Sequence, residues 1–255
     1  MLSIAKRTTI GMLLLLILPV VTILSGWEWR PETAFLGLKG LFWLTETVTR
    51  PWGIMTHFIL FIVFIWCLRF RLKAALMLFA ILSVAIICGQ TVKSFIKQRV
   101  QEPRPFVVWL EKSHGIKTAQ FYHMDRKMRG AIVDKQLQGD THLPVWLRNH
   151  WRKETGFAFP SGHTLFAASW ALLGVGLLWP RRRIVLVGIL MLWAGGVMAS
   201  RMVLGMHWPR DLIVAALISW LLVTFACWLT QRWCGSLAPP REEQREIASR
   251  SQSGE

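Results

Sequence analysis

Three separated clusters of polar residues stand where apolar runs meet water, and their side chains are of the types that seize and attack a phosphate. The first runs from Lys97 through six residues to Arg104-Pro105. The second is Pro160-Ser161-Gly162-His163, and the third is Ser200-Arg201, five residues, His207, and then Asp211. Arginine offers a planar fork to two phosphate oxygens, whereas lysine is a mobile point charge. Pro103 and Pro105 bracket Arg104 and disfavour helix there, which predicts a guanidinium presented from a stiff, non-helical segment. Pro160-Ser161-Gly162 opens an apolar run and predicts a helix N-terminus, whose unpaired N–H groups bind anions. Ser161 adds a hydroxyl, and Gly162 lets a phosphate approach the backbone closely. His207 and Asp211, at i and i+4, would share one face of a helix. A carboxylate on one imidazole nitrogen fixes the tautomer and leaves the other nitrogen free to attack. His163 is the candidate acid or base.

Each cluster also has an ordinary reading. Pro-Ser-Gly is a common helix start, Asp211 suits a helix N-cap, and Lys or Arg snorkels at the end of a membrane helix. Lys93 lies four residues before Lys97 on the same prospective face and is a candidate for headgroup contact. Glu154, alone in charge sign beside the second cluster, is a candidate to orient a cation or a headgroup amine; a plain surface salt bridge is its ordinary reading.

The elements that must position these residues are membrane helices. Of 255 residues 53% are hydrophobic, with a mean hydropathy of +0.41, more apolar than a soluble domain at about 45–50%. The net charge of +16 flanks apolar runs, at Lys6-Arg7, Arg69/Arg71/Lys73 and Arg181-Arg182-Arg183. That placement suits anionic headgroups; a nucleic-acid partner would call for a basic face or stripe. Trp27, Trp52, Trp179 and Trp208 fall near run ends, as in an interfacial aromatic belt. The four cysteines have no disulfide or zinc spacing.

Six runs are each near the roughly 20 residues needed to cross hydrocarbon: 9–25, 54–70, 74–92, 164–180, 184–200 and 212–230. The first has the basic start of a signal peptide but no small-x-small cleavage site, and is read as an uncleaved helix. Residues 93–160 are polar yet aromatic, which predicts short amphipathic helices on the membrane surface forming a cap or lateral entrance, with a solvated loop as the alternative. The expected fold is an all-α membrane protein, one domain over 1–235 with six transmembrane helices and an extracytoplasmic insertion between the third and fourth. Residues 236–255 read as a cytoplasmic tail. Six crossings bring the three clusters to one face. The basic short loops lie on the opposite face, so the clusters are expected to be extracytoplasmic.

Taken together the clusters resemble the three-part signature of the type 2 phosphatidic acid phosphatase superfamily: Lys, six residues, Arg-Pro; Pro-Ser-Gly-His; Ser-Arg, five residues, His, three residues, Asp. All three are matched without departure, at Lys97–Pro105, Pro160–His163 and Ser200–Asp211. The likeness extends to Glu102-Pro103-Arg104-Pro105-Phe106 and to the segment from Glu154 to Phe159. The resemblance implies six helices around a phosphohistidine site that uses neither metal nor cofactor. It implies His207 as nucleophile, Asp211 orienting it, His163 protonating the leaving group, and Lys97, Arg104, Ser161, Gly162 and Arg201 holding the phosphate oxygens. It further implies a bacterial inner-membrane enzyme with a periplasmic site and no obligate protein partner. The implied substrates are phosphatidylglycerophosphate and undecaprenyl pyrophosphate, with phosphatidate, lysophosphatidate and diacylglycerol pyrophosphate as relatives. A lipid-binding or transport protein without chemistry, and a phosphotransferase passing the phosphoryl group to an alcohol, are the competing classes. The vanadium haloperoxidases of the same superfamily are disfavoured by the membrane spans.

Overall fold

A computed structural model describes residues 2–31, 37–140 and 143–235. Among these every regular element is helical: α1 (Leu2–Leu24), α2 (Leu38–Glu46), α3 (Trp52–Leu68), α4 (Leu72–Val100), α5 (Pro105–His114), α6 (Thr118–His123), α7 (Arg126–Gln136), α8 (Val145–Lys153), α9 (Gly162–Leu173), α10 (Ile184–Val203) and α11 (Pro209–Trp233). Residues 236–255, expected to form a tail, lie outside the described residues.

Five helical segments are long and apolar enough to cross a membrane, and α3 is a shorter apolar helix of 17 residues. The six expected spans are therefore all present as helices, with shifted bounds: α1 begins at Leu2 and α11 at Pro209. In the span built on α9, 78% of the apolar window is buried, against 28% for α1 and 39% each for α10 and α11. A helix buried on nearly all sides is the centre of a bundle, and α9 packs on α1, α4, α10 and α11. Past Leu173 its backbone widens into a π-turn at Gly174–Leu178 before the basic turn at Arg181–Arg183. The others turn Leu, Ile, Val and Phe outward, as at Leu13, Ile62, Ile87 and Leu192.

With 29 residues, α4 is the longest helix. At ~1.5 Å per residue it reaches about 43 Å, beyond a hydrocarbon core of about 30 Å. Lys93 and Lys97 lie four residues apart in its last turns, so the helix runs on into the segment 93–160 and carries both on one face, as their spacing predicts. The rest of the insertion forms α5–α8, which enclose a second core of Phe106, Leu110, Phe121, Val133, Leu147 and Trp151. That core also takes in Leu204 and Met206 from the turn between α10 and α11. The cap is thus helical, and its core is shared with that turn. Three backbone anchors grip the turn: Phe106 N–H donates to Gly205 O at 3.0 Å, Trp151 Nε1–H to Leu204 O at 2.8 Å and Trp29 Nε1–H to Val203 O at 2.8 Å. Gly205 has φ +68°, and a Cβ there would stand 2.4 Å from the Trp29 ring, so both conformation and space require glycine.

Candidate active site

His207 stands in the short turn entering α11, one residue before the N-cap Trp208, so it pairs with Asp211 across the helix start and not along a helical face. Pro209 is the first helical residue and pushes Trp208 into extended backbone (φ −79°, ψ 152°), so the chain turns sharply between His207 and the helix. Asp211 sits in the first turn, and its Oδ2 accepts from Trp208 N–H at 2.9 Å while lying 3.1 Å from His207 Nδ1. Asp211 is therefore not the N-cap, which is Trp208, but the third residue of the helix, and its one carboxylate both closes the helix start and holds the imidazole. With Nδ1 committed to Asp211, Nε2 is the ring nitrogen left for other chemistry. His207 is buried. Burial lowers its pKa well below the usual 6.5, and the charges of Arg104, Lys97 and Arg201 push it the same way. The imidazole is neutral at neutral pH.

Arg104 is non-helical, as expected, with extended backbone (φ −75°, ψ 152°) just before Pro105 at the start of α5. Its Nε–H donates to Gly156 O at 2.6 Å, and its backbone N–H to the Tyr122 hydroxyl at 3.1 Å. Tyr122 is in turn stacked on Phe157, with centroids 4.4 Å apart. The Lys97 ammonium donates to Phe157 O, and to Ala158 O at 2.9 Å. The segment from Glu154 to Pro160 is therefore clamped by the same two cations that the first cluster supplies. Trp208 Nε1–H donates to Pro103 O at 2.9 Å, and Ser161 N–H to Asp211 O at 3.2 Å, which ties the third cluster to the other two.

Ser161 is the N-cap of α9, its Oγ accepting from Thr164 N–H at 3.2 Å. The hydroxyl oxygen is thus engaged locally and its proton is what remains to offer a ligand. A Cβ on Gly162 would meet Lys93 Cδ at 2.8 Å, so the absence of a side chain is what lets Lys93 lie across the helix start. Gln90 holds both partners: its Oε1 accepts from Lys93 Nζ at 2.8 Å, and its Nε2 donates to Gly162 O at 3.2 Å.

The largest departure concerns Glu154, which makes no surface salt bridge. Its Oε2 accepts from Arg201 Nη2 at 2.8 Å and Arg104 Nη1 at 3.2 Å, and its Oε1 lies 3.3 Å from His163 Nε2. Burial alone would raise its pKa, but Arg201, His163 and Arg104 together outweigh burial and hold it well below 4.5. Glu154 is ionised, and it joins one residue from each cluster. Thr49 Oγ1 is the other partner of His163 Nε2, at 3.1 Å. Arg201 is fully buried. Its Nη1 donates to Thr45 Oγ1 at 3.0 Å and to His150 Nε2 at 3.2 Å.

All ten candidates thus gather at one end of the bundle: His163, His207, Asp211, Arg104, Arg201 and Glu154 in direct contacts, Ser161 and Gly162 at the α9 start, Lys97 and Lys93 on α4. The sequence reading missed Thr45, Thr49, Gln90 and His150. One signal was available for His150: it precedes Glu154 by four residues, as His207 precedes Asp211. Among the described residues no group of three or more His, Cys, Asp or Glu is arranged to hold a metal ion.

Residues 73–234 match the profile of the PAP2 superfamily. The chain is 63% identical over 250 residues to phosphatidylglycerophosphatase B of Escherichia coli K12, covering 98% of each chain. It is 34% identical over 224 residues to phosphatidylglycerophosphatase B of Haemophilus influenzae, covering 85% of this chain and 92% of that one.

Proposed function

This chain belongs to the PAP2 superfamily, and from that premise we propose that it is a lipid phosphatase acting on phosphatidylglycerophosphate and undecaprenyl pyrophosphate, with phosphatidate, lysophosphatidate and diacylglycerol pyrophosphate as further substrates. The observation that carries the reading is the neutral, Asp211-oriented imidazole of His207 set among Arg104, Lys97 and Arg201. The name of the relatives in E. coli and H. influenzae supports the first substrate.

In the proposed mechanism the phosphate displaces the Glu154 carboxylate, which offers the same charge and paired oxygens to Arg104, Arg201 and His163. His207 Nε2 attacks phosphorus, the bond from phosphorus to the leaving oxygen breaks, and His163 supplies the proton to that oxygen. Asp211 stabilises the imidazolium side of the phosphohistidine. A water then gives its proton to His163 and its oxygen to phosphorus, releasing phosphate and restoring both rings. Arg104, Arg201, Lys97, the Ser161 hydroxyl and the Gly162 N–H stabilise the charge on the equatorial oxygens. The reaction is expected to proceed with chelator present and no added divalent metal.

The enzyme is placed in the bacterial inner membrane, with the cap and site toward the periplasm and residues 236–255 in the cytoplasm. Support comes from the basic short turns at the opposite end. The deciding experiment is phosphate release from phosphatidylglycerophosphate in mixed micelles by wild type and His207→Ala. The variant is expected to lose more than ~10³ in turnover and to form no acid-labile phosphoenzyme. Near-normal turnover in that variant would sink the proposal.

A further inference from the structure

We propose that His150, backed by Glu46, is a positioning residue that aims Arg201 at the substrate phosphate; this rests on the reading of Arg201 as a phosphate ligand given above. A guanidinium is only a donor, so the His150 Nε2 that faces Arg201 Nη1 at 3.2 Å must be the acceptor, and the ring proton sits on Nδ1. Glu46 Oε1 lies 3.6 Å from that Nδ1, beyond hydrogen-bond length but with the charge that favours a proton there. Phe42 packs edge-on to the ring, with centroids 5.4 Å apart and planes at 87°, which fixes its orientation.

The consequence is an allocation of donors on Arg201. Both hydrogens of Nη1 are taken, one by His150 and one by Thr45 Oγ1 at 3.0 Å. One hydrogen of Nη2 goes to Glu154. The Nε–H, though buried, has no partner among the described residues. An arginine fork binds a phosphate through two parallel N–H groups on one edge. Anchoring the Nη1 side on His150 and Thr45 turns the edge bearing Nε and Nη2 toward the ligand. His150 comes from α8 and Glu46 and Thr45 from α2, so two elements outside the three signature clusters set the angle of a residue within them.

Asparagine and glutamine separate this role from packing. Glutamine carries its amide about as far as Nε2 and keeps an acceptor there, whereas asparagine stops near the position of Nδ1. His150→Asn is expected to lower kcat/KM on phosphatidate micelles roughly 10–100-fold, the cost typical of a small misplacement of a ligating group. It should also weaken inhibition by inorganic phosphate, while His150→Gln stays within about threefold of wild type, set against that same cost. In an Arg201→Ala background the Asn change should cost less than about twofold, because residues acting through one another are not additive. Equal impairment by Asn and Gln, or the full Asn penalty persisting without Arg201, would assign His150 to packing and overturn the proposal. Loss of folding in His150→Asn alone, with Gln active, supports it only if Gln also keeps the phosphate inhibition constant; a shifted constant overturns it. Wild-type turnover in Arg201→Ala would instead remove Arg201 as a phosphate ligand, and this proposal with it.

Discussion

Glu154→Gln isolates one negative charge in a buried cationic cluster. Its partner Arg201 has a side chain 0% exposed and Arg104 one 7% exposed, so neither guanidinium can recover its lost ion pair from solvent. Breaking a buried pair by removing one partner costs about 3–5 kcal/mol. Glutamine keeps one acceptor, and a hydrogen bond to a charged group recovers about 1.5–3 kcal/mol. The net expectation is a loss of about 2 kcal/mol, or roughly 4–8 °C in apparent melting temperature at about 2–4 °C per kcal/mol. The same substitution removes the carboxylate that competes with phosphate for Arg104, Arg201 and His163. Inorganic phosphate should therefore bind the variant more tightly, and at 100 times its Kd return about 2.7 kcal/mol of stability. The assay is thermal unfolding in detergent across a phosphate titration, wild type beside variant. A variant as stable as wild type without phosphate, or one that gains no more from phosphate than wild type does, would refute the view that the carboxylate occupies the phosphate position.

Stability should fall on acidification in two stages. His207 has a folded pKa depressed below its usual 6.5 and Glu154 one depressed below 4.5, so in each window the unfolded chain binds more protons. Both contributions are complete above the unfolded values and are lost as pH falls toward the folded ones; a melting temperature that rises between pH 7 and pH 5.5 would contradict this. Lys93→Ala should raise KM with kcat intact, as expected of a group that grips the headgroup equally in ground and transition states, and steady-state kinetics on phosphatidylglycerophosphate micelles would read it. Gly205→Ala combines a positive φ with a collision against Trp29, and is expected to cost more than about 2 kcal/mol; unfolding in detergent would measure it.

What could be read from the chain were features with fixed spacing. The proline bracket dictated a non-helical Arg104, and Ser161-Gly162 dictated the start of α9, because both effects act within two residues. The same locality governs His207: Pro209 starts the last helix, so His207 is left in the short turn before it while Asp211 falls in its first turn. Glu154 looked superficial because its partners, Arg104 and Arg201, are 50 and 47 residues away. Thr45, Thr49 and Gln90 have no local pattern at all. Their roles arise only when α2, α4 and the loop before α3 converge on the cluster. The cap's helices were legible from composition, but its core was not, since it is completed from outside by Leu38 and by the turn at Leu204 and Met206.

That shared core makes the cap a wall and not a door. Trp151, Phe106 and Trp29 each hold the backbone of residues 203–205, and His207 follows two residues later. Swinging α5–α8 aside would pull on the chain that sets the imidazole, so traffic of lipid and product has to pass without lifting this layer. The arrangement also sets a rule for exchanging caps between relatives: a graft of residues 105–153 carries its own counterpart only if the 203–206 turn and Trp29 travel with it.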